Sequence, residues 1–506
     1  MQKILSTFKS YQKARVDFVQ SVAQLALREQ HVDLMENAGV MKLLNPLLLD
    51  NVPSIQMTAA LALGRLAAHS QVIAKNVIDS GSVAHLIRTL VHDSPHARKA
   101  SAFVVRSIAK HSSALAESVV KEGVLEPLRN CLDHVDPGVK ESGAWALDYI
   151  CKHDMNLAQA VVDAGVIKLL ALCLEEPEQT LKRIAATTLG DIAKHSPKLA
   201  QLVVDAGVLD SFQMLLKLND PSLLRQVCAC IAQVAKHSVE LADQVVRHEV
   251  MGRVLDCIKS ANVSVQHNAL VCVREIVKRS SKHCKLVVDS GGIKHVIDVV
   301  RDDQSGTLWL PGAMVLGYVA GHDAEYASKI IDLRGIVVLK TLLADRQIGN
   351  DEGRAAIAWA FGEIGKHSST HAKPMGEEKV YEELVALSEA KISSKDLKSK
   401  ARGALKVLIS TCADMRTLEP LLRDSSPEVI KYTLEQFAVI LPNSVEMKRN
   451  FVESGSLRYV QEMNRDDVDH ELVDLVAKIR RCFPQEVSDY YAPGNDDKIL
   501  TRHFGS

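Results

Sequence analysis

Between Ser196 and His237 the apolar positions fall into three helical stripes, separated by residues that favour turns. Ser196-Pro197 predicts a helix start: the serine oxygen can cap free backbone N–H groups, and proline at the first helical position loses nothing. The spacing predicts a first helix over about Pro197–Ala206, with Leu199, Leu202 and Val203 on its apolar side. Gly207 follows, as expected of a chain that must leave one helix by a tight turn with φ above zero. A second helix is predicted over about Val208–Lys217, with Leu209, Phe212 and Leu216 inward. Asp220-Pro221 repeats the cap-and-proline signal. A third helix then runs to about Lys236, with Leu224, Val227, Cys228, Ile231 and Val234 as its stripe.

The same phrase returns along the chain. His69, His111, His153, His195 and His237 stand 42 residues apart, and Gly39, Gly81, Gly123, Gly165 and Gly207 keep the same step, which returns at Gly291 after Glu249. Glu249 in the glycine column predicts a bend that differs there. Pro53, Pro95, Pro137 and Pro221 lie on one grid. Repetition disposes of the one constellation that looks catalytic, Lys194, His195, Ser196 and Asp205. A reaction centre needs one set of groups converging on one substrate, whereas a set copied every 42 residues reports architecture. The residue after the histidine column is Ser70, Ser112, Asp154, Ser196, Ser238, Ser280, Asp323 and Ser368, all good N-cap types. The preceding lysine and histidine fall at the end of the third helix, where positive charge suits the dipole.

A short, a medium and a long helix per 42 residues, with glycine between the first two, is the armadillo pattern; HEAT repeats normally use two helices. The expected fold is therefore all-α, an armadillo-repeat right-handed superhelical solenoid. Residues 1–30 read as an N-terminal capping helix, 31–370 as armadillo repeats, 371–482 as degenerate helical repeats and 483–506 as an extended tail. In the seventh unit Pro311 comes only eleven residues before His322, which predicts a longer loop near 301–309 and a shorter third helix.

Armadillo arrays line an inner groove with their third helices. Peptide-binding import adaptors carry tryptophan and asparagine there, the amide both donating and accepting. Here the asparagine slot holds Arg65, Ser107, Tyr149, Asp191, Gln233, Glu275, Tyr318 and Glu363, and the tryptophan slot is filled only by Trp145 and Trp359. An import or catenin type adaptor is the alternative reading, and the missing asparagines argue against it. A second column, Lys110, Lys152, Lys194, Lys236 and Lys278, with Lys366 further on, either complements helix C-termini or tracks an acidic strand or tail.

Composition narrows this further. Apolar residues make up 47% and aromatics 4%, so the core is aliphatic, and a formal net charge of −1 offers no global case for nucleic acid. The ten cysteines form no CxxC pair and read as buried thiols in a reducing compartment. The start MQKILSTFKSYQKAR lacks the apolar stretch of a signal peptide, and nowhere do 18 uninterrupted apolar residues occur. A soluble intracellular protein is expected. No GxxxxGK[ST], HExxH or GxSxG stands in the chain, so no enzyme, cofactor or metal is expected.

Particular repeats carry more specific wording. YQKARVDFVQSVAQLA at 11–26, DPGVKESGAWALDYI at 136–150, EEPEQTLKRIAATTLGDIAKHSPKLAQLVVDAG at 175–207, LPGAMVLGYVA at 310–320 and FPQEVSDYYAPG at 483–494 resemble the armadillo proteins of the flagellar central pair, the sperm-associated antigen type. That resemblance implies a cytoskeletal scaffold of the axoneme in cilia and flagella, supporting motility and central-pair stability. Its implied partners are tubulin or the microtubule and other central-apparatus proteins, with self-association a further expectation and neither nucleic acid nor membrane among them.

Overall fold

The computed structural model describes residues 1–345, 350–423, 425–463 and 470–491, and these form helices joined by short turns. Part of the expected tail, 492–506, lies outside the described residues; Gln485–Tyr490, at its start, is a helix. The chain divides into two compact units, one spanning Met1–Ile276 and the other beginning at Val277.

Within the first unit the predicted repeat is close to what forms. Its helices are Pro197–Asp205, Val208–Leu215 and Pro221–Ala235. The apolar stripes are corrected at two positions. Leu202 is only half-buried, and on the third helix Leu223 rather than Leu224 is fully enclosed, since the packed stripe is Leu223, Val227, Cys228, Cys230, Ile231 and Val234. Each such aliphatic side chain contributes roughly 1.5–3 kcal/mol on burial. Successive third helices, Pro53–Ala67, Pro95–Ala109, Pro137–Cys151, Gln179–Ala193 and Pro221–Ala235, pack side by side. The N-terminal helix Gln2–Leu25 packs on the first of these and buries Val19, Val22 and Ala23.

The cap column works as its chemistry suggests. Ser70, Ser112, Asp154, Ser196 and Ser238 each accept from the backbone N–H three residues on, and Asp323 from that of Glu325. Ser280 and Ser368 make no such bond, the Ser368 hydroxyl being engaged by His371 Nδ1 at 2.7 Å. The bend before the second helix is left-handed at Gly165, φ +79°. Glu249 keeps the same bend at φ +55°, against the expectation that it would differ. A left-handed residue costs an L-amino acid roughly 1–2 kcal/mol, and the surrounding stack imposes it here.

The histidine column does more than punctuate. Nε2 of His111, His153, His195 and His237 lies 2.6–2.8 Å from the carbonyl oxygens of Ala67, Ala109, Cys151 and Ala193. Each acceptor is the last residue of the preceding repeat's third helix, where carbonyls lack intrahelical partners. Because a carbonyl only accepts, Nε2 must carry the proton. Burial lowers the pKa of His111 and His195, with Lys110 and Lys194 respectively acting in the same direction. These two imidazoles are therefore neutral ties between repeats at pH 7, not the positive helix-end charges expected from sequence.

The second unit repeats the device. His322 bonds the Val277 carbonyl at 3.1 Å and His367 that of Ala320 at 2.6 Å. Its first irregular repeat has the loop at 303–308 and a third helix, Trp309–His322, of 14 residues against 15 in the first unit. Third helices Asp351–Gly365 and Lys395–Thr411 follow and pack in the same manner.

Candidate functional site

Counting back from each histidine, positions −12, −8, −5, −4 and −1 share one face of the third helix, since they differ by three or four residues. The two columns suspected from sequence are therefore one surface, −4 standing a turn before the lysine at −1. Asp191 pairs with Lys194 at 2.8 Å, Gln233 accepts from Lys236 at 2.7 Å, and Glu363 pairs with Lys366 at 2.6 Å. Lys152 Nζ sits 3.3 Å from the centroid of the Tyr149 ring. Glu275 instead pairs with its neighbour Arg274 at 2.6 Å. Arg65 donates from its guanidinium to the Ala23 carbonyl at 2.5 Å and so ties the N-terminal helix to the first repeat.

The −12 column adds Lys99, Glu141, Arg183 and Arg225, and the −5 column adds Gly64, Arg106, Asp148, Gly190, Ala232, Gly317 and Gly362. Sequence reasoning passed over both. The −5 column has a steric logic where the next repeat carries an aromatic at −8, because that ring lies over the −5 residue of the repeat before it. A Cβ on Gly64 would collide with the Phe103 ring and one on Gly317 with the Trp359 ring. Where −5 is not small, a cation takes the place: Arg106 stacks at 4.8 Å from the Trp145 ring and 5.4 Å from that of Tyr149. The legible signal was an aromatic at −8 with glycine or arginine at −5 one repeat earlier.

Asp148 is the outlier in that column. It is only 4% exposed, its Oδ1 has no hydrogen-bond donor, and what faces it is the Asp191 carboxylate. Burial first, then the Asp191 charge, pushes its pKa up to about 8, against the opposing pull of Lys152 and Lys194. At neutral pH Asp148 thus keeps a proton to share with Asp191, and it adds little negative charge to the face.

The constellation at 194–205 comes apart. Lys194 is paired with Asp191, His195 donates to Cys151, Ser196 caps Leu199, and Asp205 accepts from Gln201 at 2.7 Å. Among the described residues no group of three or more His, Cys, Asp or Glu side chains is placed to hold a metal ion. Cys482 is half-buried and the other nine cysteines are buried, all as free thiols.

In the second unit the same face is more apolar. Tyr318 and Trp359 meet edge to face with centroids 4.8 Å apart, and Lys278 lies 5.8 Å from the Tyr318 ring. The two aromatics line a cavity of about 610 Å³ with Leu310, Met314, Asp396 and Lys400.

No family model matches the chain. Superposition on the crystal structure of an engineered protein gives a TM-score of 0.66 at 21% identity, covering 87% of this chain and 98% of that one. A designed armadillo repeat protein aligns over 47% of the chain and 99% of its own, at 19% identity and a TM-score of 0.45. The three-helix repeat, its left-handed bend and the side-by-side third helices decide the fold. The fold is of the armadillo-repeat type. Over 152 residues it is 43% identical to sperm-associated antigen 6 of Homo sapiens, and equally to that of Mus musculus. Each match takes in 30% of this chain and 30% of the relative's length. In armadillo terms, the expected binding residues Trp145, Tyr149, Asp191, Gln233, Lys110, Lys152, Lys194 and Lys236 come together on one third-helix face of the first unit. Tyr318, Trp359 and Glu363 do so in the second.

Proposed function

We propose that this armadillo protein is a non-enzymatic scaffold of the axonemal central apparatus, binding microtubule and microtubule-associated partners along its third-helix faces in support of flagellar motility. The observation that carries the reading is the 43% identity over 152 residues to sperm-associated antigen 6. The structure supports the binding half of it: half-buried aromatic, amide and cationic side chains repeat laterally from one third helix to the next, a pattern suited to a long partner rather than a small substrate. The side chains that looked catalytic serve as a cap (Ser196), an inter-repeat tie (His195), an ion-pair member (Lys194) and the acceptor of a local amide hydrogen bond (Asp205). Tagging the chain in a ciliated or flagellated cell and imaging isolated axonemes tests the reading. Label at the central pair, inside the ring of outer doublets, is expected; label confined to nuclei or cell junctions overturns it.

A further inference from the structure

The third-helix face of the first unit is strongly cationic although the whole chain is close to neutral. From Lys99 to Lys236 the −12, −5, −4 and −1 columns place eight Lys and Arg against three carboxyls, Glu141, Asp148 and Asp191. Asp148 holds its proton and Asp191 is spent on Lys194. No carboxylate forms an ion pair with Arg106, Lys110 or Lys152 among the described residues; two of the three are steadied by aromatic rings instead. An aromatic face orients a cation without using its N–H donors, so these groups keep their hydrogen-bonding capacity.

Electrostatics agree with the geometry. The ammonium pKa of Lys110 is lowered first by burial and then by the Arg106 charge, and that of Lys152 is lowered by burial, with Lys194 acting in the same direction against the opposing pull of Asp148 and Asp191. Partly buried like charges packed at this density are a cost to the folded chain that an anionic partner would relieve.

We propose that this face, centred on Arg106, Lys110 and Lys152, binds an extended acidic polypeptide segment. A polypeptide fits better than a nucleic acid. Glu141 and Asp191 interrupt the cationic rows, and a continuous phosphate backbone would have to pass over both. A peptide chain can set acidic side chains on the cations and neutral ones beside the carboxylates. Tyr149 and Gln233, half-buried in the column between, can exchange hydrogen bonds with its backbone.

The inference rests on the reading of the chain as a protein-binding scaffold and names the chemistry of one partner. Its test uses the full chain and a fluorescent oligoglutamate peptide, with anisotropy followed as salt is raised from about 50 to 300 mM. Saturable, salt-sensitive binding is expected, weakened by about tenfold or more in Lys110→Glu/Lys152→Glu. Lys152→Arg should retain it, and Lys366→Glu in the second unit should leave it unchanged. Circular dichroism confirms that each variant is folded, and Arg106→Gln gives a neutral second variant should the double charge reversal fail to fold. No binding, equal binding of oligolysine, indifference to the first-unit substitutions, or tighter binding of polyuridylate would each overturn the proposal. Axonemal label in a cell whose protein ignores oligoglutamate would sink this inference alone, while oligoglutamate binding by a protein confined to nuclei would sink only the axonemal reading.

Discussion

The third-helix faces of the two units are built on the same columns and finish as different surfaces. In the first, Trp145 lies over Arg106, so the aromatic is stacked against a cation of the preceding repeat. In the second, Trp359 lies over Gly317, so the ring drops against the helix and lines a cavity beside Tyr318. One position, five residues before the histidine, decides which surface results. An aromatic in the next repeat requires either empty space there or a planar cation that can stack.

The most damaging way to break this arrangement is to fill the space. Gly317→Val puts a side chain where the Trp359 ring sits, and overpacking of that kind costs about 3 kcal/mol. The melting temperature should fall and the near-ultraviolet circular dichroism of tryptophan should change. The matching substitution in the first unit, Arg106→Ala, removes only a cation–π contact and should cost about 0.5–1 kcal/mol. Equal losses at the two sites would mean that the ring over position −5 is not what distinguishes the faces.

The next effect sharpens the electrostatic half of the contrast. Asp148 has a folded pKa of about 8, against about 3.9 for an unperturbed aspartate in the unfolded chain. The folded state therefore binds the extra proton. Stability from this site is fully present below about pH 4 and drains away as pH rises through about 8. Asp191 faces the carboxyl from the neighbouring third helix, and Lys152 and Lys194 temper the repulsion. Asp148→Asn, which cannot ionise and still donates to Asp191, should raise stability at pH 8 by about 2 kcal/mol and flatten the pH dependence of unfolding. A variant whose denaturation midpoint tracks the parent at every pH would show that Asp148 is already ionised and solvated.

The ties between repeats should not distinguish the units. His195→Ala and His367→Ala each leave a helix-terminal carbonyl without its donor, a loss of about 1 kcal/mol measured by urea unfolding. A loss at only one of them would place a difference between the units in the ties as well as in the faces.

Much of this architecture could be read from the chain because it lies in local chemistry. Caps, prolines and apolar stripes placed the helices of the 196–237 repeat to within two residues, since each signal acts over one turn. What escaped depends on two repeats at once. The role of His195 needs the Cys151 carbonyl, 44 residues away, and Asp148 looks unremarkable until Asp191 is packed against it. Arg65 was placed among the groove residues by its column, yet its position in the first repeat gives it the N-terminal helix as neighbour. A column predicts geometry; what a side chain meets there depends on which repeats flank it.

The smallest expected effect concerns the bend between first and second helices, and it runs in the stabilising direction. Glu249 in the first unit and Arg334 and Lys379 in the second occupy the left-handed conformation that glycine fills elsewhere in the column. Packing on either side forces that conformation, so each residue carries strain that glycine would not. Glycine also has more freedom to lose on folding, which takes back part of the gain. Glu249→Gly should therefore raise stability by about 0.5 kcal/mol. Arg334→Gly and Lys379→Gly together should do about as much for each site, so the second unit, with two such residues, gains more. Differential scanning calorimetry of the single, double and triple variants reads the increments. A destabilised Glu249→Gly would mean that its side chain, 3.4 Å from the Gln213 amide, outweighs the backbone strain.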